Sequence, residues 1–186
     1  EILHRLVGSE MCIRDSDVSD YYEIEVDYGT MEDFEEFLEQ AHLRGIKVII
    51  DLVLNHTSNQ HPWFIQSANN QNNYRDWYIW SENNPGFTGP WGQNIWHYNQ
   101  GNYYYGLFWS GMPDLNYEHQ SVKQEMINVA NFWLNKGVDG FRLDAIKYLI
   151  EDASNLENTP ATFSLIEDFN SAYKYTSSKS FTIGEV

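Results

Sequence analysis

The chain has 186 residues, enough for one domain, with 11 Lys+Arg against 27 Asp+Glu and a formal net charge of −16. That balance excludes a nucleic-acid binder, which needs a basic surface to displace counterions from phosphates, and it opposes docking on an anionic membrane. No apolar run approaches the roughly 20 residues that span a bilayer, the single cysteine, Cys12, excludes an internal disulfide framework, and a hydrophobic fraction of 42% supports a core and is too high for a disordered chain.

In chain order, residues 17–29 form a polar, Tyr-rich approach to the first helix. Thr30 and Asp33 form a capping-box pattern, and Phe34, Phe37, Leu38 and Ala41 follow on one helical face, with Gly45 as the stop. The run from Lys47 to Leu54 is β-branched and almost continuously apolar, as expected of a parallel strand buried on both faces. A second unit repeats the pattern. Ser121 and Gln124 form another capping box, Met126, Val129, Ala130, Trp133 and Leu134 share a face, Gly137 ends it, and Val138–Asp144 is a short strand. In a third, Leu165, Phe169 and Ala172 lie on a helix and Phe181–Glu185 on a strand. Three helix-then-strand units predict an α/β fold with parallel strands.

Residues 57–118 break this rhythm, being far longer than the roughly 2–6 residues of an ordinary loop. The segment is either a disordered insert or a small inserted domain, and its aromatic density over 91–109 favours order. Aromatics form 16% of the chain, many of them in Asn-rich stretches. They are ordinary core residues or a surface for sugar, whose C–H face stacks on aromatic rings while its hydroxyls pair with Asn, Asp and His.

The polar residues at the strand ends carry the chemistry. Asp51 and Asn55 close the first strand and His56 follows; Arg142 and Asp144 close the second; Glu185 closes the third. In parallel α/β folds this edge is where active sites form. Arg142 and Asp144, two apart, point to the same side of a strand, so Arg142 should hold Asp144 ionised. Glu185 has apolar or hydroxyl neighbours before it, which predicts a raised pKa. One ionised and one protonated carboxyl is the equipment of a retaining glycosidase. Taken singly, each has a plainer reading: a structural ion pair for Arg142–Asp144, a turn or core histidine for Asn55-His56.

Four runs resemble one family. Asp51-Leu-Val-Leu-Asn-His56, Gly140-Phe-Arg-Leu-Asp-Ala145, Gly184-Glu185 and Met112-Pro-Asp-Leu-Asn116 are similar to the first, second, third and an accessory signature of the α-amylase family, glycoside hydrolase family 13. The version resembles the group between oligo-1,6-glucosidases and neopullulanases and covers about 17–186. The resemblance implies a (β/α)8 TIM barrel, of which 17–56 and 119–186 supply strands three to five, with 57–118 as the domain inserted after strand three. It implies Asp144 as nucleophile and Glu185 as general acid/base. Arg142 positions the nucleophile and His56 donates to the sugar in subsite −1. Asn55 stands where many members ligate a structural calcium; no organic cofactor is implied. Lys147 and Tyr148 stand at acceptor-side positions, where related amylases often carry Lys-His.

The family's third carboxylate, in an Asn-His-Asp motif after strand seven, does not occur in this sequence, and neither do strands one and two. The chain therefore reads as a fragment, expected to be inactive and poorly stable in isolation because an unclosed barrel leaves two sheet edges open. Residues 1–16 match nothing in the family pattern and read as a non-native leader, which would make Cys12 foreign as well. The location is left open, with an extracytoplasmic one weakly favoured. The expected activity is retaining hydrolysis of α-1,4-glucosidic bonds in starch-like glucans or malto-oligosaccharides. An exo-acting α-glucosidase or transglycosylase shares the same machinery. A non-catalytic sugar-binding relative need not keep Asp144, Glu185, Arg142 and His56 together.

Overall fold

The computed structural model describes residues 18–152 and 155–185. The segment read as a leader lies outside them. Helix α1 (Met31–Leu43) opens with the predicted capping box: Asp33 N–H donates to Thr30 Oγ1 at 3.2 Å and Thr30 N–H donates to Asp33 Oδ2 at 2.8 Å. Leu38 and Ala41 are buried, and Phe34 and Phe37 pack against the same core. Strand β1 (Ile49–Val53) follows.

Helix α3 (Gln120–Lys136) starts one residue before the Ser121–Gln124 pattern, which forms no capping box. His119, in an extended conformation, takes the cap instead, its Nδ1 accepting from Ser121 N–H, and Gln124 turns to Asn128. The predicted face is buried together with Val122, and Gly137 ends the helix at φ 104°, a left-handed position suited to glycine. Strand β5 (Gly140–Asp144) comes next, then α4 (Pro160–Thr176), with Thr159 as cap and Pro160 as its first residue, then β6 (Phe181–Gly184).

Strands β1, β5 and β6 form a parallel sheet in the order β1-β5-β6. One face carries Leu52, Leu54, Phe141 and Leu143, buried in a single core with Met126, Val129, Trp133, Leu165 and Phe169. Each such side chain contributes about 1.5–3 kcal/mol by leaving water. The other face departs from the expectation of a strand buried on both sides. Ile49, Phe181 and Ile183 are 39%, 58% and 49% exposed, because among the described residues no element packs over them. Asp51, Arg142, Asp144 and Glu185 lie at the C-terminal end of this same open face.

Between β1 and α3 lie α2 (Pro62–Ala68) and a second, antiparallel sheet, β2 (Trp80–Ser81), β3 (Trp96–Asn99) and β4 (Asn102–Tyr105), in the order β2-β4-β3. Gln100 and Gly101, both at positive φ, make the tight turn of the β3–β4 hairpin. The chain then returns beside the end of β1. Leu115 N–H donates to Asn55 O at 2.9 Å and Thr57 N–H to Pro113 O at 3.1 Å. Two buried tyrosines fix the same stretch, Tyr21 Oη donating to Val53 O at 2.8 Å and Tyr117 Oη to Leu54 O at 2.6 Å.

At the opposite end of the sheet, Asp139 ties three elements together. It accepts from Lys47 Nζ at 2.8 Å and Val48 N–H at 2.8 Å, and it pairs with His42 Nε2 at 2.7 Å. Burial alone would raise the Asp139 carboxyl; the hydrogen bonds from Lys47, Val48 and His42 outweigh it and hold the pKa below the ordinary value. A depressed folded-state pKa gives stability that is present above the unfolded value of about 3.9 and is lost as pH falls through the folded one. Asp139→Asn should therefore cost about 1–2 kcal/mol at pH 7. Thermal melts of the two proteins should differ at pH 7 and converge below about pH 3; equal melting temperatures at pH 7 would remove this tie from the account.

Candidate active site

The register brings the strand-end charges together. Asp51 lies directly beside Arg142, and Arg142 beside Ile183, so Glu185, two residues further on, stands next to Asp144. Gly184 lets β6 pass close to Ile146, where an added Cβ would come within 2.8 Å of that side chain. Beyond it, Glu185 N–H donates to Leu143 O at 3.0 Å, which extends the ladder to the carboxylate-bearing residue.

Arg142 is the hub. Its Nη1 donates to Asp51 Oδ1 and Asp144 Oδ1, each at 2.9 Å, and its Nη2 pairs with Glu185 Oε1 at 2.6 Å. Asp144 and Glu185 are also hydrogen-bonded to each other. Burial is the largest influence on Asp144; with the Glu185 hydrogen bond and charge, it pushes the Asp144 pKa up to about 6 against the pull of Arg142. The hydrogen bond from Asp144 chiefly lowers Glu185, helped by Arg142 and the Ala145 N–H and opposed by burial.

These shifts run opposite to the sequence expectation, in which Arg142 holds Asp144 low and Glu185 is raised. The reason is exposure. The Asp144 side chain is 15% exposed and that of Glu185 50%, so burial raises the drier group while Glu185 takes the shortest contact to Arg142.

His56 is buried at the end of β1. Its Nδ1 lies 3.4 Å from Asn55 Nδ2. The His56 ring meets the edge of Phe108 at 5.3 Å. Phe108 stacks on Trp91 at 5.9 Å and meets Tyr148 edge-on at 5.6 Å. An aromatic wall thus runs from buried His56 to Trp91, which is 63% exposed.

The two acceptor-side candidates are placed differently from the rest. Tyr148 is buried beneath this wall, and Lys147 is committed to Glu157 at 3.0 Å with its ammonium over the Tyr148 ring.

Asn55, also buried, hydrogen-bonds to Asp114, whose Oδ1 accepts from Leu107 N–H. Burial raises the Asp114 carboxyl, and the nearby charge of Glu151 raises it further. Glu151 is itself pushed up to about 7 by burial, while accepting from Tyr105 Oη at 2.8 Å. Sequence reasoning placed Asp51 among the strand-end polar groups and Trp91 and Phe108 within an aromatic-dense stretch, without a specific role for any of them, and it gave no role to Asp114 or Glu151. Asp51 and Asp114 were visible within motifs, but residues 55, 114 and 151 meet only through the fold.

A parallel sheet with helices between its strands and charged side chains gathered at its C-terminal edge is the layout of the α/β barrel class. Comparison with known proteins agrees. Residues 9–186 match the alpha-amylase catalytic domain, and the chain belongs to that family. It is 47% identical over 138 residues to alpha-amylase 3 of Dictyoglomus thermophilum, covering 74% of this chain and 27% of the relative. It is 45% identical to an oligo-1,6-glucosidase of Parageobacillus thermoglucosidasius, over 72% of this chain and 25% of that protein. It is 39% identical to trehalose synthase/amylase TreS of Mycolicibacterium smegmatis, over 81% and 27%. The chain thus spans about a quarter of the length of these curated relatives. Among solved structures, the trehalose-6-phosphate hydrolase of Bacillus licheniformis superposes with a TM-score of 0.86 at 37% identity, covering 96% of this chain and 36% of that one. The alpha-amylase from H. orenii superposes at 0.79 and 44%, covering 92% and 35%. The sheet β1-β5-β6 and its helices are accordingly part of a (β/α)8 barrel.

The coupling between Asp144 and Glu185 is directly testable. In the intact protein, carboxyl 13C NMR should find Asp144 titrating near pH 6 and, after Glu185→Gln removes the neighbouring charge, at lower pH. An Asp144 resonance that titrates at the same pH in both proteins would contradict the coupling.

Proposed function

We propose that the intact protein containing this chain is a retaining glycoside hydrolase that cleaves α-1,4-glucosidic bonds in starch-like glucans or malto-oligosaccharides. The observation that carries this reading is the Asp144–Glu185 contact across adjacent strand ends, beside Arg142. Retaining enzymes hold their carboxyls about 5–5.5 Å apart and inverting ones about 6.5–9.5 Å, leaving room for a water. Two carboxyls already in hydrogen-bond contact reach the shorter separation when a sugar parts them. The exposed face of Trp91 and the Phe108 ring suit the C–H face of a pyranose, and the His56 imidazole suits a sugar hydroxyl.

The chemistry needs one proton to move along the hydrogen bond that exists. Sugar between the carboxyls withdraws Glu185 from Arg142 and from water, which raises its pKa, and Arg142 then holds Asp144 as the carboxylate. Asp144 attacks the anomeric carbon, the glycosidic C–O bond breaks, and Glu185 delivers its proton to the leaving oxygen. Glu185, now ionised, takes a proton from a water that attacks the same carbon and releases Asp144. Two inversions return the α-anomer.

A structural cation is part of the proposal. Asp114 Oδ2 is buried without a hydrogen-bond partner, beside Asn55 and within reach of the Glu151 charge. A hard cation with oxygen ligands fits that donor set, held by Asn55, Asp114 and Glu151. Among the described residues no three His, Cys, Asp or Glu gather as a metal cluster, so backbone oxygens would complete the shell. Calcium there would clamp the inserted segment to the end of β1. Excess chelator should lower the melting temperature of the intact protein and leave Asp114→Asn unmoved; a wild-type melting temperature indifferent to chelator would remove calcium from the account.

Catalysis has its own test. Asp144→Asn should abolish turnover of glucan. Glu185→Gln should lose about 10²–10⁴-fold on natural substrates while substrates with activated leaving groups are partly spared. Proton NMR during hydrolysis should find α-anomer first. A β-anomer as first product, or near-normal hydrolysis by Asp144→Asn, would overturn the reading.

A further inference from the structure

We propose that Asp51 is a positioning residue for this chemistry, the fixed anchor that keeps the Arg142 guanidinium aimed at Asp144 throughout the reaction. The inference rests on the roles given above to Asp144 and Glu185. Three carboxylates face Arg142: Asp51 from β1, Asp144 on its own strand β5, and Glu185 beyond β6. Two of them change charge during turnover. The proton passes between Asp144 and Glu185, Asp144 becomes an ester when it attacks, and Glu185 alternates between acid and base. At the ester stage Asp144 offers Arg142 no charge, and whenever Glu185 holds the proton it offers none either. Asp51 takes no part in bond making or proton transfer, so its carboxylate is constant.

The geometry matches that duty. Asp51 and Arg142 are register partners on neighbouring strands, which fixes their backbones relative to each other. Asp51 Oδ1 accepts from Nη1, the nitrogen that also serves Asp144, at the same 2.9 Å. A guanidinium is planar, so pinning Nη1 from the β1 side sets the plane in which its remaining N–H groups point. Without Asp51 the plane would swing toward Glu185, which already makes the shortest of the three contacts. The Asp51 charge also acts on Asp144 through space, adding to the upward push on its pKa.

Asp51→Asn in the intact protein tests this, with kcat, KM and the pH profile of kcat/KM as readouts. The expected result is a fall in kcat of about 10–100-fold, the size of effect that a small misplacement of reacting groups produces. KM should stay within about threefold, and the acidic limb should move to lower pH because Asp144 loses a like-charged neighbour. In an Arg142→Ala background the same substitution should cost nothing further, since Asp51 acts through Arg142. Asp51→Glu, which keeps the charge, should return the acidic limb to its wild-type position, and it carries the test should Asp51→Asn not fold. Wild-type kcat and an unmoved limb in Asp51→Asn would overturn the proposal. So would a lowered melting temperature with an unmoved limb, or a limb that shifts in Asp51→Glu. If those results came with an inactive Asp144→Asn enzyme, only the role of Asp51 would fail; an active Asp144→Asn enzyme would remove the catalytic reading itself.

Discussion

One guanidinium organises the functional end of this molecule. Arg142 sits on the middle strand of the three and gathers a carboxylate from each, Asp51, Asp144 and Glu185. Bringing three acids to one strand edge without it would be strongly unfavourable, because like charges at such spacing repel and the edge is half-shielded from water. With it, all three acids share one compensating positive charge.

The scaffold makes the cluster rigid from both sides. The end of β1 is fixed by Tyr21 and Tyr117, which donate to consecutive carbonyls of Val53 and Leu54, and by the returning segment 113–115, which pairs with residues 55–57. Helices α3 and α4 bury the opposite face of the sheet under Met126, Val129, Leu165 and Phe169. His56 and Asn55 are buried outright, and the polar atoms of the Asn55–Asp114–Glu151 group tie the inserted segment to the turn after β5. A cation at this second acidic cluster would thus act at a distance, by holding the wall of Phe108 and Trp91 in place beside Asp144 and Glu185.

The strand ends were legible because parallel strands announce themselves as apolar runs, and a charge at the end of such a run is conspicuous. Asp144, Glu185, Arg142 and His56 were found that way, and the structure gathers the first three at one edge. Helix starts were legible only where the capping side chain competed with no neighbour: Thr30 caps as expected, whereas His119 displaced Ser121. The pKa shifts of the pair run opposite to expectation because sequence shows which groups neighbour each other along the chain and not how deeply each is buried. Glu185 follows apolar residues and yet is half exposed; Asp144 follows an arginine and yet is the drier of the two. The Asn55–Asp114–Glu151 contact was invisible for a different reason, since nearly a hundred residues of chain separate its ends and only the return of 113–115 along β1 closes the gap.

The central claim is that Asp144 becomes covalently attached to the sugar while Glu185 does not. Intact protein treated with a 2-deoxy-2-fluoro or 5-fluoro glucosyl fluoride, which slows release of the intermediate, should accumulate one added sugar per chain. Peptide mass spectrometry should place it on the fragment containing Asp144, and the label should disappear in Asp144→Asn. A label on the Glu185 peptide, or rapid turnover of substrate with no covalent sugar at any stage, would contradict the account.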